Sequence, residues 1–321
     1  METFRGDLPA LSRSLPPGPY AMTIGNFDGV HVGHQYLLSR LKGEAKTSAI
    51  PSLLLTFDPH PLFVLAPDSA FRMIMSRDRQ QEVLRELGLD VLVYLTFDRT
   101  ISSMTAESFT KNVLHDLFHP ALILLGEGFR FGEGRHGTIE TLERELGGSG
   151  TRVFPLPPLE EDGHRVSSSR IRKAVDQGDL EESNRLLTRP LEISGPVAQG
   201  ERRGRLLGFP TLNLIPPEHR LIPPPGVYAT RTRTEGTLYD SATYIGTKPT
   251  FGTHRPVIET HIPGFSGDLY GKDHQVFFYH RVRGERSFPH VDALKAQISS
   301  DIATAQRVLH DIVFEGSVRP L

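Results

Sequence analysis

The hydrophobic period of this 321-residue chain changes once, near Thr188–Leu191, and that change constrains the fold more than any other feature. Before it, apolar runs alternate with amphipathic stretches. Tyr20–Gly25 and Leu53–Phe57 read as strands. Val91–Leu95 and Ala121–Leu125 are continuous apolar runs, as strands buried on both faces require. Gly33–Lys46, Arg77–Leu87 and Ala106–Phe118 have helical character, the second through Val83, Leu84 and Leu87. Strands and helices in alternation predict βαβ units and a parallel sheet, with ligands bound outside the carboxyl ends of the strands. Ser167–Gln177 and Asp179–Leu187 read as two further helices that close this half.

From Leu191 to about Asp292 the helical period is absent. Val227–Arg233, Leu238–Ile245, Val257–Ile262 and Gln275–Val282 are strand-like and separated by Gly and Pro, the pattern of an antiparallel sheet or small barrel. One helix follows, Asp292–Leu309, with Leu294, Ile298, Ile302 and Ala305 on one stripe. Pro190 lies just past the last helix of the first half. The expected division is therefore residues 1–187 and 188–321, with no internal repeat and no low-complexity tract.

Composition matters here for what it excludes. The chain has no cysteine, so a disulfide framework, a Cys-ligated metal and a thiol nucleophile are all ruled out. Lys plus Arg is 36 and Asp plus Glu is 38, which leaves no basic footprint for nucleic acid. Apolar runs such as Ala121–Leu125 are far shorter than a membrane span of about 20 residues. The first residues lack the apolar stretch of a signal peptide. The expectation is a cytoplasmic protein with small-molecule partners, no nucleic acid and no membrane.

The first chemistry-bearing segment follows the strand Tyr20–Ile24. It runs Gly25-Asn26-Phe27-Asp28-Gly29-Val30-His31-Val32-Gly33-His34 into a helix. Glycines let the backbone turn sharply, and a helix start aims N–H groups and a positive dipole end at the loop, which suits phosphate. His31 and His34, three apart, can face one ligand. Read alone, this is equally a Gly-rich connection with two surface histidines. The ten residues together resemble the signature of the nucleotidyltransferase superfamily, in the form found in prokaryotic bifunctional riboflavin kinase/FAD synthetases. Thr56-Phe57-Asp58-Pro59-His60-Pro61 is similar to that family's Thr-Phe-x-Pro-His-Pro loop, though a Pro-bounded structural loop reads the same way. Val166-Ser167-Ser168-Ser169-Arg170-Ile171-Arg172 is similar to its Ile-Ser-Ser-Thr-x-Ile-Arg motif, and by itself is a capped helix start. Gly126–Gly132 is a further match with one departure: Gly128 stands where the family usually has Asp or Asn.

The second segment includes Gly200, Gly204 and Gly208 and ends in Pro210-Thr211-Leu212-Asn213. The glycines suit a loop lying against phosphates, or simply a turn-rich piece of barrel. Thr211 and Asn213 alternate, so in extended chain they face one side and offer neutral oxygens suited to Mg²⁺. No Gly-x-x-x-x-Gly-Lys-Ser/Thr occurs, which excludes a P-loop kinase. The segment resembles the riboflavin kinase domain, whose loop ends Pro-Thr-Ala-Asn. Further similar stretches follow in family order: Gly226-Val227-Tyr228, Tyr244–Phe251 with Tyr244 in place of Asn, Ile258–Ile262, Asp268–Gly271 and Arg283-Gly284-Glu285-Arg286-Ser287-Phe288.

The resemblance spans roughly residues 15–315 and implies two chemistries. In the first half, an α/β domain with a Rossmann-like parallel sheet of nucleotidyltransferase type, it implies transfer of an adenylyl group from ATP to FMN. His31 and His34 would be catalytic. Gly25, Phe27, Asp28, Gly29, Ser168, Ser169 and Arg172 would bind nucleotide or phosphate, and Phe57, Pro59, His60 and Phe129 would face flavin. In the second half, a small antiparallel β-barrel with a C-terminal helix, it implies phosphorylation of riboflavin by ATP. There Glu259 would be the base, Gly200, Gly204 and Gly208 would bind phosphate, and Thr211 and Asn213 would hold Mg²⁺. Arg283, Glu285 and Phe288 would face flavin. A lone Glu in a strand is ordinarily an exposed strand residue, and Phe288 alone reads equally as a core aromatic. Weak homo-oligomers also belong to the family's expectation. Two alternatives stand beside this reading: a kinase whose adenylyltransferase is weakened by Gly128, and a non-catalytic flavin- or nucleotide-binding regulator.

Overall fold

A computed structural model describes residues 1–198, 204, 207–250, 253–265, 267, 269 and 271–312. The chain divides into two compact units. Met1–Phe71 and Arg77–Ser167 form the first, while Arg72–Ser76 and the described residues from Ser168 to Ile312 form the second.

The first unit is built on six strands: β1 (Glu2–Gly6), β2 (Tyr20–Ile24), β3 (Ser52–Asp58), β4 (Val91–Thr96), β5 (Pro120–Gly126) and β6 (Arg152–Leu156). They form one parallel sheet in the order β1-β4-β3-β2-β5-β6. The order reverses at β2, whose neighbours are β3 and β5, so a crevice opens at the carboxyl ends of these strands. β2 is buried at every position, as a central parallel strand must be when both sheet faces are covered. The expected helix 106–118 is present with a changed pitch. Ala106–Phe109 is α-helical, but Thr110–Phe118 winds as a wider π-helix. Within that helix the Thr110 hydroxyl donates to the Ala106 carbonyl, and the His119 amide reaches back to Leu114.

Two short strands, β7 (Glu160–Glu161) and β8 (His164–Arg165), form a hairpin ahead of the second unit. That unit begins with helices Ser168–Gln177 and Leu180–Leu187. Six antiparallel strands then close a barrel in the order β10-β13-β12-β11-β14-β9. They are β9 (Leu191–Ala198), β10 (Leu212–Leu214), β11 (Gly226–Thr234), β12 (Thr237–Thr250), β13 (Thr253–His261) and β14 (Asp273–Gly284). Alternation sorts each strand into two faces. Ile245, Ile258, Thr243 and Thr260 point inward and are buried. A chain of hydroxyls satisfies the polar ones: Thr230 to Thr243 at 2.7 Å and Thr243 to Thr260 at 2.9 Å. Ala229 and Ala242 point outward and pack against Ala305 and Leu309 of the C-terminal helix Val291–His310. Their small side chains let that helix lie close to the barrel wall.

Candidate functional sites

Three of the singled-out loops leave neighbouring strands at the same edge of the parallel sheet. Residues 25–34 follow β2, 59–61 follow β3 with Phe57 at its end, and 127–132 follow β5. The loop after β2 is wound tightly. Phe27, Gly29 and Val30 all have positive φ, at 49°, 88° and 38°. For Gly29 this is cheap, but for β-branched Val30 it is strained and must be held by its surroundings. Buried amides do the holding. Gln35 Nε2 donates to the Val30 carbonyl at 2.9 Å. Gln80 Nε2 donates to both the Asn26 and Phe27 carbonyls at 3.0 Å. The Thr56 hydroxyl also reaches Asn26 O.

The loop ends at His31, which caps the helix Val32–Thr47. Its Nδ1 accepts the His34 amide at 3.3 Å. In the neutral ring that bond puts the proton on Nε2. The rings of Phe27, His34 and His31 stack in sequence, at 4.4 Å and then 3.7 Å. Both imidazoles therefore lie at the start of a sixteen-residue helix, where N–H groups and the helix dipole favour a phosphate. Asp28 is buried in the same loop.

In the loop after β3, His60 caps the short helix Pro61–Leu65 and stacks on Phe71 at 4.3 Å. Phe57 is half-buried against the ring of Phe97, and Pro59 is exposed. In the loop after β5, Phe129 packs on Phe131 at the edge of the core. Gly128 is the third residue of a turn closed by Phe129 N–H to Gly126 O at 3.1 Å. Its φ is +80°, and a Cβ there would meet no atom within 4 Å. A left-handed turn position favours Gly or Asn, so the absence of a side chain at 128 reflects backbone rather than crowding.

Sequence motifs did not single out Gln80 or Arg77. Arg77 donates to Phe57 O at 2.6 Å, to Asp58 at 3.3 Å and to Gln80 Oε1 at 3.1 Å. The Tyr94 hydroxyl also donates to Gln80 Oε1, at 3.1 Å. Burial, partly offset by Arg77 and Arg5, pushes that phenol up to about 12, so it stays a neutral donor. Gln80 thus ties the loop after β2, through Arg77, to the end of β3. Replacing it by Leu leaves two carbonyls without this donor and should destabilise the first unit by about 2–4 kcal/mol. A thermal transition of Gln80→Leu at the wild-type temperature would contradict this role.

In the second unit, Ser168 and Ser169 begin their helix. Arg172 Nε donates to the Arg72 carbonyl at 2.8 Å, and Arg72 pairs with Asp176 at 2.9 Å. On the barrel, the register gathers the remaining candidates. Asn213 is paired with Glu259, Glu259 with Tyr244, Tyr244 with Val227, and Val227 with Arg283. Directly paired residues share a face, so these five form one row across five strands on the outer wall. Just before Asn213, Thr211 is fixed by the turn behind it. Phe209 N–H bonds Gly204 O at 2.8 Å, and Gly208 has φ +92°. A Cβ on Gly204 would collide with the Phe209 carbonyl and lie 3.2 Å from the Thr211 hydroxyl, so glycine is required there. His261, which no motif assigned a role, braces this segment: its Nδ1 bonds the Pro210 carbonyl at 2.7 Å. Gly200 lies outside the described residues.

At the other end of the row, Arg283 makes a two-pronged bond to Asp301 of the C-terminal helix, at 3.0 and 2.7 Å. Its guanidinium also lies 5.7 Å from the centroid of Phe288. Glu285 accepts from the Tyr244 hydroxyl at 2.6 Å. Among the described residues no group of three or more His, Asp or Glu could by itself hold a metal. Any cation at Thr211 and Asn213 would need further oxygens from a phosphate ligand, the usual arrangement for Mg²⁺.

A parallel sheet with a phosphate-suited loop at its switch point, and a separate barrel with a carboxylate and neutral oxygens in one row, define a two-unit nucleotide-using transferase. Comparison with known proteins makes the class specific. Residues 16–170 match the family model described as FAD synthetase, and residues 187–309 match that described as riboflavin kinase. The bifunctional riboflavin kinase/FMN adenylyltransferase of Escherichia coli K12 is 35% identical over 286 residues, covering 89% of this chain and 91% of that one. The corresponding protein of Bacillus subtilis 168 is 33% identical over 295 residues, covering 91% and 93%. The chain belongs to the bifunctional riboflavin kinase/FMN adenylyltransferase family. A crystal structure described as a macrolide-efflux protein from Streptococcus pneumoniae superposes with a TM-score of 0.87 at 28% identity, covering 95% of this chain and 99% of that one. In the present chain no described helix is long and apolar enough to cross a membrane.

Proposed function

We infer that this chain makes FAD from riboflavin in two ATP-dependent steps, each on its own part of the chain. The barrel, with residues 188–321 as its domain, phosphorylates riboflavin. The 5′-hydroxyl attacks the γ-phosphorus of ATP, the bond to the bridging oxygen breaks, and ADP leaves. Glu259 takes the hydroxyl proton, which a primary alcohol must lose as it attacks. Thr211 and Asn213 would hold Mg²⁺, which would supply charge neutralisation at the phosphates. Gly204 and Gly208 lie against the phosphates. Glu285 and Phe288 face the flavin on a loop that Arg283 anchors to the C-terminal helix.

Residues 1–187 transfer the adenylyl group. A phosphate oxygen of FMN attacks the α-phosphorus of ATP and pyrophosphate leaves, with no covalent enzyme intermediate. His31 and His34 donate hydrogen bonds to phosphoryl oxygens as charge develops there. Gly25, Phe27, Asp28 and Gly29 shape the backbone cradle, and Ser168, Ser169 and Arg172 take the outgoing phosphates. Phe57, Pro59, His60 and Phe129 face the flavin. The enzyme is expected in the cytoplasm, with small-molecule partners, no nucleic-acid partner and at most weak self-association.

The observation that carries this reading is the separation of the two residue sets. The histidine loop sits at the switch point of the parallel sheet, and Glu259 sits between Asn213 and Tyr244 on the barrel wall. Independent loss of the two activities in single-site variants, followed in one assay of FMN and FAD, tests it.

A further inference from the structure

Tyr244 departs from its family's usual Asn, and the structure gives it a definite place. It is the direct cross-strand partner of Glu259, on the outer wall of the barrel. It is 36% exposed, so filling the core does not account for it. Its ring lies along its own strand over Gly246, where any side chain would collide with the phenol. That placement directs the hydroxyl to Glu285 Oε1 at 2.6 Å. Burial, and then the hydrogen bond to Glu285, push the phenol up to about 12, so it donates as a neutral group at physiological pH. The loop it reaches is also tied to the C-terminal helix, by Arg283 to Asp301 and by Arg286 to Gln297 at 3.0 Å. Tyr244 supplies a further tie from the barrel wall, on the strand paired with that of Glu259.

We propose that Tyr244 is a positioning residue for the riboflavin side of the kinase reaction. By holding Glu285, it sets loop 284–288 at a fixed distance from Glu259, so that the isoalloxazine held by the loop places its ribityl hydroxyl within reach of the base. The proposal rests on reading the barrel as a riboflavin kinase. It makes the ATP side indifferent to Tyr244, because the Gly204–Asn213 segment is braced separately by His261.

The test uses the full chain with riboflavin, ATP and Mg²⁺, and compares Tyr244→Phe, Glu285→Ala and the double variant. A hydrogen bond to a charged group at a partly exposed site corresponds to about a tenfold effect. Tyr244→Phe should therefore raise the KM for riboflavin about tenfold while the KM for ATP and FAD formation from added FMN stay at wild-type values. Glu285→Ala, which removes the acceptor outright, should raise it at least as much, and adding Tyr244→Phe to Glu285→Ala should have no further effect, because the phenol then has no partner on the loop. An unchanged riboflavin KM in Tyr244→Phe, a parallel rise in the ATP KM, or additive effects in the double variant would each overturn the proposal. Glu259→Gln serves as the separate control on the underlying reading. If it keeps full kinase activity the kinase assignment itself fails, whatever Tyr244 does.

Discussion

Glu259→Gln should lower FMN formation from riboflavin by about 10²–10⁴-fold while FAD formation from added FMN is kept. The substitution preserves the shape of the side chain and removes only the ability to accept a proton. Glu259 is half-buried on the outer wall, paired with Asn213 on one side and Tyr244 on the other, so the amide has room and the barrel should fold unchanged. The size of the effect follows from the alcohol, which is a poor nucleophile until its proton leaves. Assaying both products from the same preparation makes the adenylyltransferase reaction an internal control for folding. Equal loss of both activities would contradict the division of labour between the two sites.

His31→Asn is the mirror experiment. Asn keeps an oxygen that can cap the helix Val32–Thr47, in place of the Nδ1 that now accepts the His34 amide. It removes the Nε2 donor and the ring stacked on His34. Loss of a donor aimed at developing phosphoryl charge costs about 10²–10³-fold in rate, so FAD formation should fall by that factor. FMN formation from riboflavin should not change, and the thermal stability should fall by only about 1 kcal/mol, because the cap survives while the ring stacked on His34 is lost. A large stability loss with a proportionate fall in both activities would mean that His31 serves the helix rather than the reaction.

Much of this architecture is legible in the residues, and what is not has physical causes. β2, β3, β4 and β5 announce themselves because central parallel strands are apolar on both faces. β1 and β6 do not. They are the outer strands of the sheet, β1 carries Glu2 and Arg5, and β6 contains Pro155, which an edge strand tolerates. On the barrel, β9 contains Gly195 and Pro196 and β10 is only three residues long, so neither has a readable period. The motif residues were likewise legible, because phosphate and flavin loops need particular residue types in sequence. Their supports were not. Gln80 is 53 residues from the Phe27 carbonyl it holds, and His261 is 51 residues from Pro210. Partnerships of that kind belong to the fold, and a glutamine on an amphipathic helix gives no local sign of one. Gly128 shows the reverse. Its departure from the family pattern is plain in the sequence, yet only its positive φ shows that the turn itself selects glycine or asparagine there.

The most direct measurement supplies the purified chain with FMN, ATP and Mg²⁺ and follows FAD and pyrophosphate, alongside a parallel reaction started from riboflavin. The account predicts FAD and pyrophosphate in equal amounts from FMN, and FMN followed by FAD from riboflavin. FMN accumulating from riboflavin with neither FAD nor pyrophosphate in either reaction would contradict it.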